Sequence, residues 1–159
     1  MDYLWSPWRY PYVSQAGKNP SCIFCEALKR GNDQQVLIVF RGQHNFILLN
    51  RYPYTTGHSM IAPYDHLGQL DQAAPETLNE MIHLCQRLQR ALAAEYQPEG
   101  YNLGMNLGKI AGAGVADHLH MHVLPRWAGD TSFMTTVGET RLEPEDLSIT
   151  YKKLRKHFG

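Results

Sequence analysis

Two apolar periods divide this chain. "VLIVFR" (36–41), "HNFILLN" (44–50) and "HSMIAP" (58–63) are short runs rich in β-formers, which predicts three strands. Gly42 and Gln43 separate the first two as a hairpin, "RYPYTTG" is a turn, and Pro63 ends the third run. The period then changes. Leu78, Met81, Ile82, Cys85, Leu88 and Leu92 recur at three- and four-residue steps. That spacing predicts one amphipathic helix over 75–95, with Asn79, Gln86, Arg87 and Arg90 on its wet side and Cys85 in its packing.

"YNLGMNLG" (101–108) returns to a strand pattern broken by glycine, "KIAGAGVA" is a flexible loop, and "DHLHMHVLP" is the last clear strand. Residues 128–141 read as a surface loop and residues 143–157 as a closing helix begun by Pro144. Residues 1–21 carry Trp5, Pro7, Trp8, Tyr10, Pro11 and Tyr12, an aromatic arm too apolar for a free tail. It is expected to pack on the domain or on a neighbouring subunit. The order β-β-β-α-β-β-α predicts a single α+β domain over 1–159: an antiparallel meander of about five strands with one long and one C-terminal helix.

Charge narrows the partners more than it narrows the fold. Fifteen basic and fifteen acidic residues cancel, so no global field favours nucleic acid or an anionic membrane surface. No run reaches the roughly 18 apolar residues a membrane span needs. The N-terminus lacks the basic-then-apolar plan of a signal peptide. Three cysteines do not make a disulfide framework, and a reduced, cytoplasmic setting is expected.

Eight histidines in a neutral chain change the picture. In "DHLHMHVLPRW", His118, His120 and His122 alternate with Leu119, Met121 and Val123. On a strand the three imidazoles therefore share one face. At about 3.3 Å per residue, His118 and His122 stand roughly 13 Å apart, while a zinc–nitrogen bond is only about 2.0–2.1 Å. A division of labour is more natural than one three-histidine metal centre. Burying three imidazoles without a task would leave polar nitrogens to satisfy. "CIFC" sets Cys22 and Cys25 at the spacing of a zinc knuckle that needs two further ligands, or of an inert pair. The redox alternative needs a βαβ context that the pattern lacks. "NLGMNLGKIAGAGVAD" is either a mobile surface loop or a stretch whose glycines let backbone N–H groups approach an anion.

These residues together resemble a known family. "HLHMHVL" fits the alternating pattern of the histidine-triad (HIT) superfamily. "CIFC", "FILLNRYPYTTGHSMIAPYDH", "NLGMNLGKIAG" and "PRWAGDTSFM" fall in that family's order over about residues 1–155. "LWSPWRYPYV" and "HVLPRWAGDTSF" look like the bacterial branch associated with diadenosine tetraphosphate phosphorylase. The resemblance implies a HIT-like antiparallel sheet and a nucleotidyl-histidine mechanism.

Carried over by position, His120 is the nucleophile on the α-phosphorus, and His122 contacts the phosphate and helps the leaving oxygen depart. Cys22, Cys25, His66 and His118 would close a structural zinc tetrahedron. Asn50 stands where the family often has an acid that holds the ribose, and Asn106 near the phosphates. The backbone from Gly112 through Gly114 to Val115 would cradle phosphate oxygens. Phe46, with Ile47 and Leu48, is a candidate for the base pocket, although alternation places only some of them there. Trp127 and Phe133 wall the site or simply pack, and His58 supports the pocket from the third strand. His44, His83 and His157 receive no catalytic role.

One position departs from the family. Gly114 stands where many relatives have a side-chain donor, whose loss is worth on the order of 2–4 kcal/mol in the transition state. Lys109 or the backbone could compensate, or Lys109 is a solvated loop residue.

The function implied is cleavage of an adenine dinucleotide polyphosphate, with inorganic phosphate as acceptor for a phosphorylase. Alternatives are water as acceptor for a hydrolase of dinucleotides or nucleoside phosphoramidates, a zinc hydrolase with an open metal position, or a zinc-stabilised nucleotide-binding module with little catalysis. A homodimer or higher homo-oligomer is expected, with neither nucleic acid nor membrane as partner and no catalytic divalent metal.

Overall fold

A computed structural model describes residues 21–131 and 144–159. The aromatic arm up to residue 20, Phe133 and most of the predicted 128–141 loop lie outside the described residues.

The sheet has five strands: β1 (Ile38–Arg41), β2 (Asn45–Leu49), β3 (Ser59–Pro63), β4 (Gly100–Met105) and β5 (Met121–Arg126), in the order β1-β2-β3-β5-β4. Every neighbouring pair is antiparallel. The first three strands form the expected meander. The chain then crosses through a long helix to the far edge before β5 fills the gap. Among the described residues, four α-helices accompany the sheet: α1 (Ile23–Lys29), α2 (Asp33–Val36), α3 (Pro75–Tyr96) and α4 (Leu147–Arg155).

Period-2 alternation divides the core in two. Ile47, Leu49, Ile61, Met121 and Val123 point to the face covered by α3 and α4, where they meet Met81, Leu84, Cys85, Leu88, Leu92 and Leu154. Phe46, Leu48, Met60 and Ala62 point to the other face, where Phe24 of α1 and Val36 of α2 cover them. That second cover stops at the β3 side. Among the described residues, Gly104 and Asn102 on edge strand β4 are exposed, so these residues cover the α1 face at one end and leave it open at the other.

Several predicted boundaries move, each for a local reason. "VLIVFR" is not one strand: Val36 closes α2, and Leu37 takes a left-handed conformation at φ 63° before β1 starts. The closing helix starts at Leu147 rather than near Pro144, because Asp146 caps it by accepting from the Ser148 N–H at 2.7 Å. The strand at 101–108 runs over 100–105. α1 and α2 were not predicted, being too short for a helical period to show.

The strand predicted over "DHLHMHVLP" starts only at Met121. Upstream, the ladder groups are used otherwise. The Leu119 N–H donates to the Leu67 carbonyl at 2.6 Å, and the His118 and Pro63 carbonyls each accept from an imidazole. His118 and His120 thus lie in an extended segment just ahead of β5, while Leu119 stays in the core on the opposite side.

Candidate functional site

The α1 helix begins directly after Cys22, so Cys22 and Cys25, three residues apart, lie on the same side of its first turn. Both thiols face the ends of two other segments. His118 Nδ1 is 3.3 Å from Cys22 Sγ, 3.6 Å from Cys25 Sγ and 3.3 Å from His66 Nδ1, and His66 Nδ1 is 3.4 Å from Cys25 Sγ. Bond lengths of about 2.3 Å to sulfur and 2.0–2.1 Å to nitrogen place ligands on a zinc tetrahedron about 3.3–3.8 Å apart. These separations fall in that range, and all four donor atoms lie within 4.8 Å of one another. On the far side of the His118 ring, Nε2–H donates to the Pro63 carbonyl at 2.9 Å, which leaves Nδ1 as the lone-pair nitrogen turned toward the sulfurs. The donor set and its spacing fit a four-ligand closed metal site.

The same carbonyl-to-imidazole device recurs two residues on. His120 Nδ1–H donates to the His118 carbonyl at 2.8 Å, so Nε2 of His120 carries the free lone pair. His120 is 5% exposed. Burial pushes its imidazole below the usual histidine range against the opposing pull of that hydrogen bond. A neutral ring with an unprotonated Nε2 is the nucleophilic form of histidine.

His122, on β5, belongs to a chain of three groups. The Tyr54 N–H donates to His58 Nδ1 at 3.1 Å, which fixes the His58 proton on Nε2. That Nε2–H reaches His122 Nδ1 at 2.9 Å, so the proton of neutral His122 sits on Nε2. Asn50 Nδ2 also approaches His58 Nε2, at 3.4 Å, but two N–H donors do not bond, and the Asn50 oxygen already accepts from the Tyr52 N–H at 2.9 Å. Burial, and after it the neighbouring His120, pushes His122 down to about 4. At neutral pH, His120 therefore offers a lone pair and His122 an N–H, with ring centroids 5.0 Å apart.

Register decides what lies beside them. His122 pairs with Met60 on one side and with Gly104 on the other. Among the described residues, a Cβ built on Gly104 would meet nothing within 4 Å, so these residues leave the space over that edge strand next to His122 open. Asn106 follows one residue after β4, and its Nδ2 lies 3.9 Å from where a Cβ of Gly112 would stand. Gly112 has φ +93°, a conformation natural only to glycine. Its N–H and that of Ala113 bond to the carbonyls of Lys109 and Gly108, so these two amides hold the loop's own turn rather than face a ligand. Gly114 and Lys109 are exposed, and Val115 packs against the Phe24 cluster.

Two predicted residues stand elsewhere. Phe46 is fully buried between Phe24 and Tyr64, within the core under the site. Trp127 donates its ring N–H to the Tyr96 carbonyl at 3.3 Å, at the C-terminal end of α3. Sequence reasoning missed Phe24 and Tyr54. Phe24 packs on His118 and His120, and Tyr54 has its ring 4.7 Å from His58 and 6.2 Å from His122. Nothing in their local sequence marks them.

A model of the HIT domain matches residues 31–129. The chain belongs to the HIT domain family. It is 35% identical to a Mycobacterium tuberculosis protein named AP-4-A phosphorylase, over all of this chain and 85% of that protein. A Bacillus subtilis relative named Protein hit is 30% identical over 87% of this chain and 95% of its own length. Among solved structures, a zinc-bound histidine triad family protein from Mycobacterium smegmatis matches with a TM-score of 0.70 and 29% identity. That match covers 86% of this HIT chain and 92% of the neighbour.

Proposed function

We propose that this HIT protein is a nucleotidyltransferase that cleaves diadenosine tetraphosphate with inorganic phosphate, giving ADP and ATP. The observation that carries the reading is the bond from His120 Nδ1–H to the His118 carbonyl, which leaves Nε2 of a buried, neutral ring bare, two residues from His122. The relative named AP-4-A phosphorylase, aligned along the whole chain, supports the substrate.

The chemistry needs two steps. His120 Nε2 attacks the α-phosphorus, a phosphorus–nitrogen bond forms, and the bond to the bridging oxygen of departing ATP breaks. Inorganic phosphate then attacks the same phosphorus from the vacated side, forms ADP and returns the electron pair to His120. His122 Nε2–H donates to the bridging oxygen as charge builds there. A phosphate leaving group with a pKa near 6 needs only that hydrogen bond, so a neutral His122 is adequate. Asn106, with Gly114 and Val115, lines the phosphate side, and Asn50 the ribose side. Cys22, Cys25, His66 and His118 would hold a structural zinc that takes no part in either step. The zinc-bound neighbour supports that metal. Edge strand β4, with Leu103 49% exposed, is where two copies would join sheets in a homodimer.

Product analysis tests the reading. Diadenosine tetraphosphate is supplied with and without inorganic phosphate, beside His120→Ala. ADP plus ATP, formed only with phosphate and lost in the variant, is the expected result. AMP plus ATP without phosphate would make the protein a hydrolase. Bound nucleotide with no turnover would make it a binding module.

A further inference from the structure

Phe24 stands between the two cysteines of α1 and is 1% exposed. Its ring centroid lies 5.0 Å from the His118 ring and 5.0 Å from the His120 ring, at interplanar angles of 42° and 41°. Its other side meets Phe46 edge-on at 6.5 Å. One side chain therefore touches a metal-ligand candidate and the bare-nitrogen histidine together, while its neighbours in sequence supply two more ligands.

His120 needs this contact. The bond to the His118 carbonyl fixes the direction of Nδ1, but the second side-chain torsion of histidine is broad and nearly two-fold. A single hydrogen bond leaves the ring free to tilt about that axis, which swings Nε2 off any line of attack. An aromatic ring against one face removes the tilt. Both restraints lead back to the same place. The carbonyl belongs to His118, and Phe24 rides on a helix of seven residues, well below the roughly 12–15 that hold a helix unaided. What positions α1 is its burial through Phe24 and the convergence of its thiols on His66 and His118.

We propose that Phe24 is a positioning residue for His120, and that its hold depends on metal bound by Cys22, Cys25, His66 and His118. The inference rests on the reading of His120 as the nucleophile. The metal site is then part of how the nucleophile is presented as well as a staple for the fold. Loss of metal loosens α1, Phe24 and the His118 carbonyl at once.

The test compares zinc-loaded wild type, wild type stripped of zinc by a chelator, and Phe24→Leu loaded with zinc. Ile38→Ala is the control, since it removes apolar volume from the same cluster. Three quantities are read: zinc affinity by chelator competition, imidazole 15N spectra at one fixed pH with the His120 signals assigned by their loss in His120→Ala, and kcat separately from KM. Phe24→Leu is expected to hold zinc within about threefold of wild type, to keep the Nδ1–H tautomer of His120 but broaden its ring signals as the freed ring tilts, and to lose about 10- to 100-fold in kcat with KM little changed, the scale of a misplacement of about 1 Å. Stripped wild type, in which the His118 carbonyl loosens as well, is expected to show a mixture of tautomers, and Ile38→Ala to lose thermal stability with sharp Nδ1–H signals retained. Unbroadened His120 signals in folded Phe24→Leu, or a single tautomer in stripped wild type, overturn the proposal. If Phe24→Leu does not fold, the stripped wild type decides. If wild type turns over no nucleotide, the function reading fails, while the spectra still decide the positioning.

Discussion

The chain from Tyr54 through His58 to His122 can be broken at its middle. His58 is 1% exposed and uses both ring nitrogens, accepting from the Tyr54 N–H and donating to His122 Nδ1. His58→Phe keeps a ring of similar volume against Tyr54 and deletes both bonds. A buried polar group left without its partner costs about 1–3 kcal/mol, so the fold should lose an amount of that order. The effect on chemistry has a separate origin. Without the His58 donor nothing holds the His122 proton on Nε2, and the ring can present a bare nitrogen to the leaving oxygen. Losing about 1–3 kcal/mol from the transition state corresponds to about a 5- to 150-fold fall in kcat. Steady-state kinetics with two substrates would read it. On diadenosine tetraphosphate the leaving group is a weakly basic phosphate, whereas on an adenosine phosphoramidate it is an amine that must leave protonated. The loss should be larger on the phosphoramidate. Equal losses on both substrates, or a folded variant with wild-type kcat, would refute the assignment of the His122 proton.

Three further outcomes are expected. Glu80 accepts from the Gln43, His44 and Asn45 N–H groups at 2.6, 2.7 and 2.7 Å and from Asn45 Nδ2 at 2.8 Å, and the bare Cα of Gly42 leaves room for its carboxylate. Glu80→Ala should cost about 2–3 kcal/mol in urea unfolding at neutral pH. Burial pushes this carboxyl up, but the donors outweigh it and hold it below the ordinary range. Its contribution is therefore complete above the unfolded value of about 4.3 and lost as pH falls through the lower folded value, so the gap between variant and wild type should close in acid. Cys25→Ser should lower bound zinc, measured by elemental analysis, from about one per chain, with a matching fall in thermal midpoint. Gly112→Ala meets open space apart from Asn106 but is strained at φ +93°. A cost of about 1–2 kcal/mol should raise KM for the dinucleotide about 5- to 30-fold if this loop meets the substrate.

How far the sequence reaches depends on the span over which each interaction is encoded. The strands and α3 are legible because "NFILL" is a short, unbroken run of β-formers between turn residues and the three- and four-step spacing from Leu78 to Leu92 repeats often enough to show a period. The seven-residue α1 has no room for one, so "CIFC" can be read as ligand spacing but not as a helix that buries Phe24. Pro144 resembles a helix start, but the Asp146 carboxylate captures the Ser148 N–H and sets the start later. The candidate site divides along the same line. His118, His120 and His122 stand within five residues, so their alternation is visible. The partner that orients His122 is 64 positions away, and His118 Nε2 finds Pro63 at a distance of 55. Those pairings follow from the register of β3 against β5, in which Met60 stands opposite His122. No local pattern states that register, because Ser59–Pro63 and Met121–Arg126 would each satisfy their own alternation after a slip of two residues. A slip of two keeps every side chain on its face but moves His58 about 7 Å along the strand, beyond hydrogen-bond reach of His122. What fixes the register is the set of contacts at its ends: Leu119 N–H on Leu67 and His118 on Pro63 at one end, and the Thr55 hydroxyl on the Pro125 carbonyl at the other. The proton state of the histidines is thus set by contacts between segments distant in sequence, although the histidines themselves form one short motif.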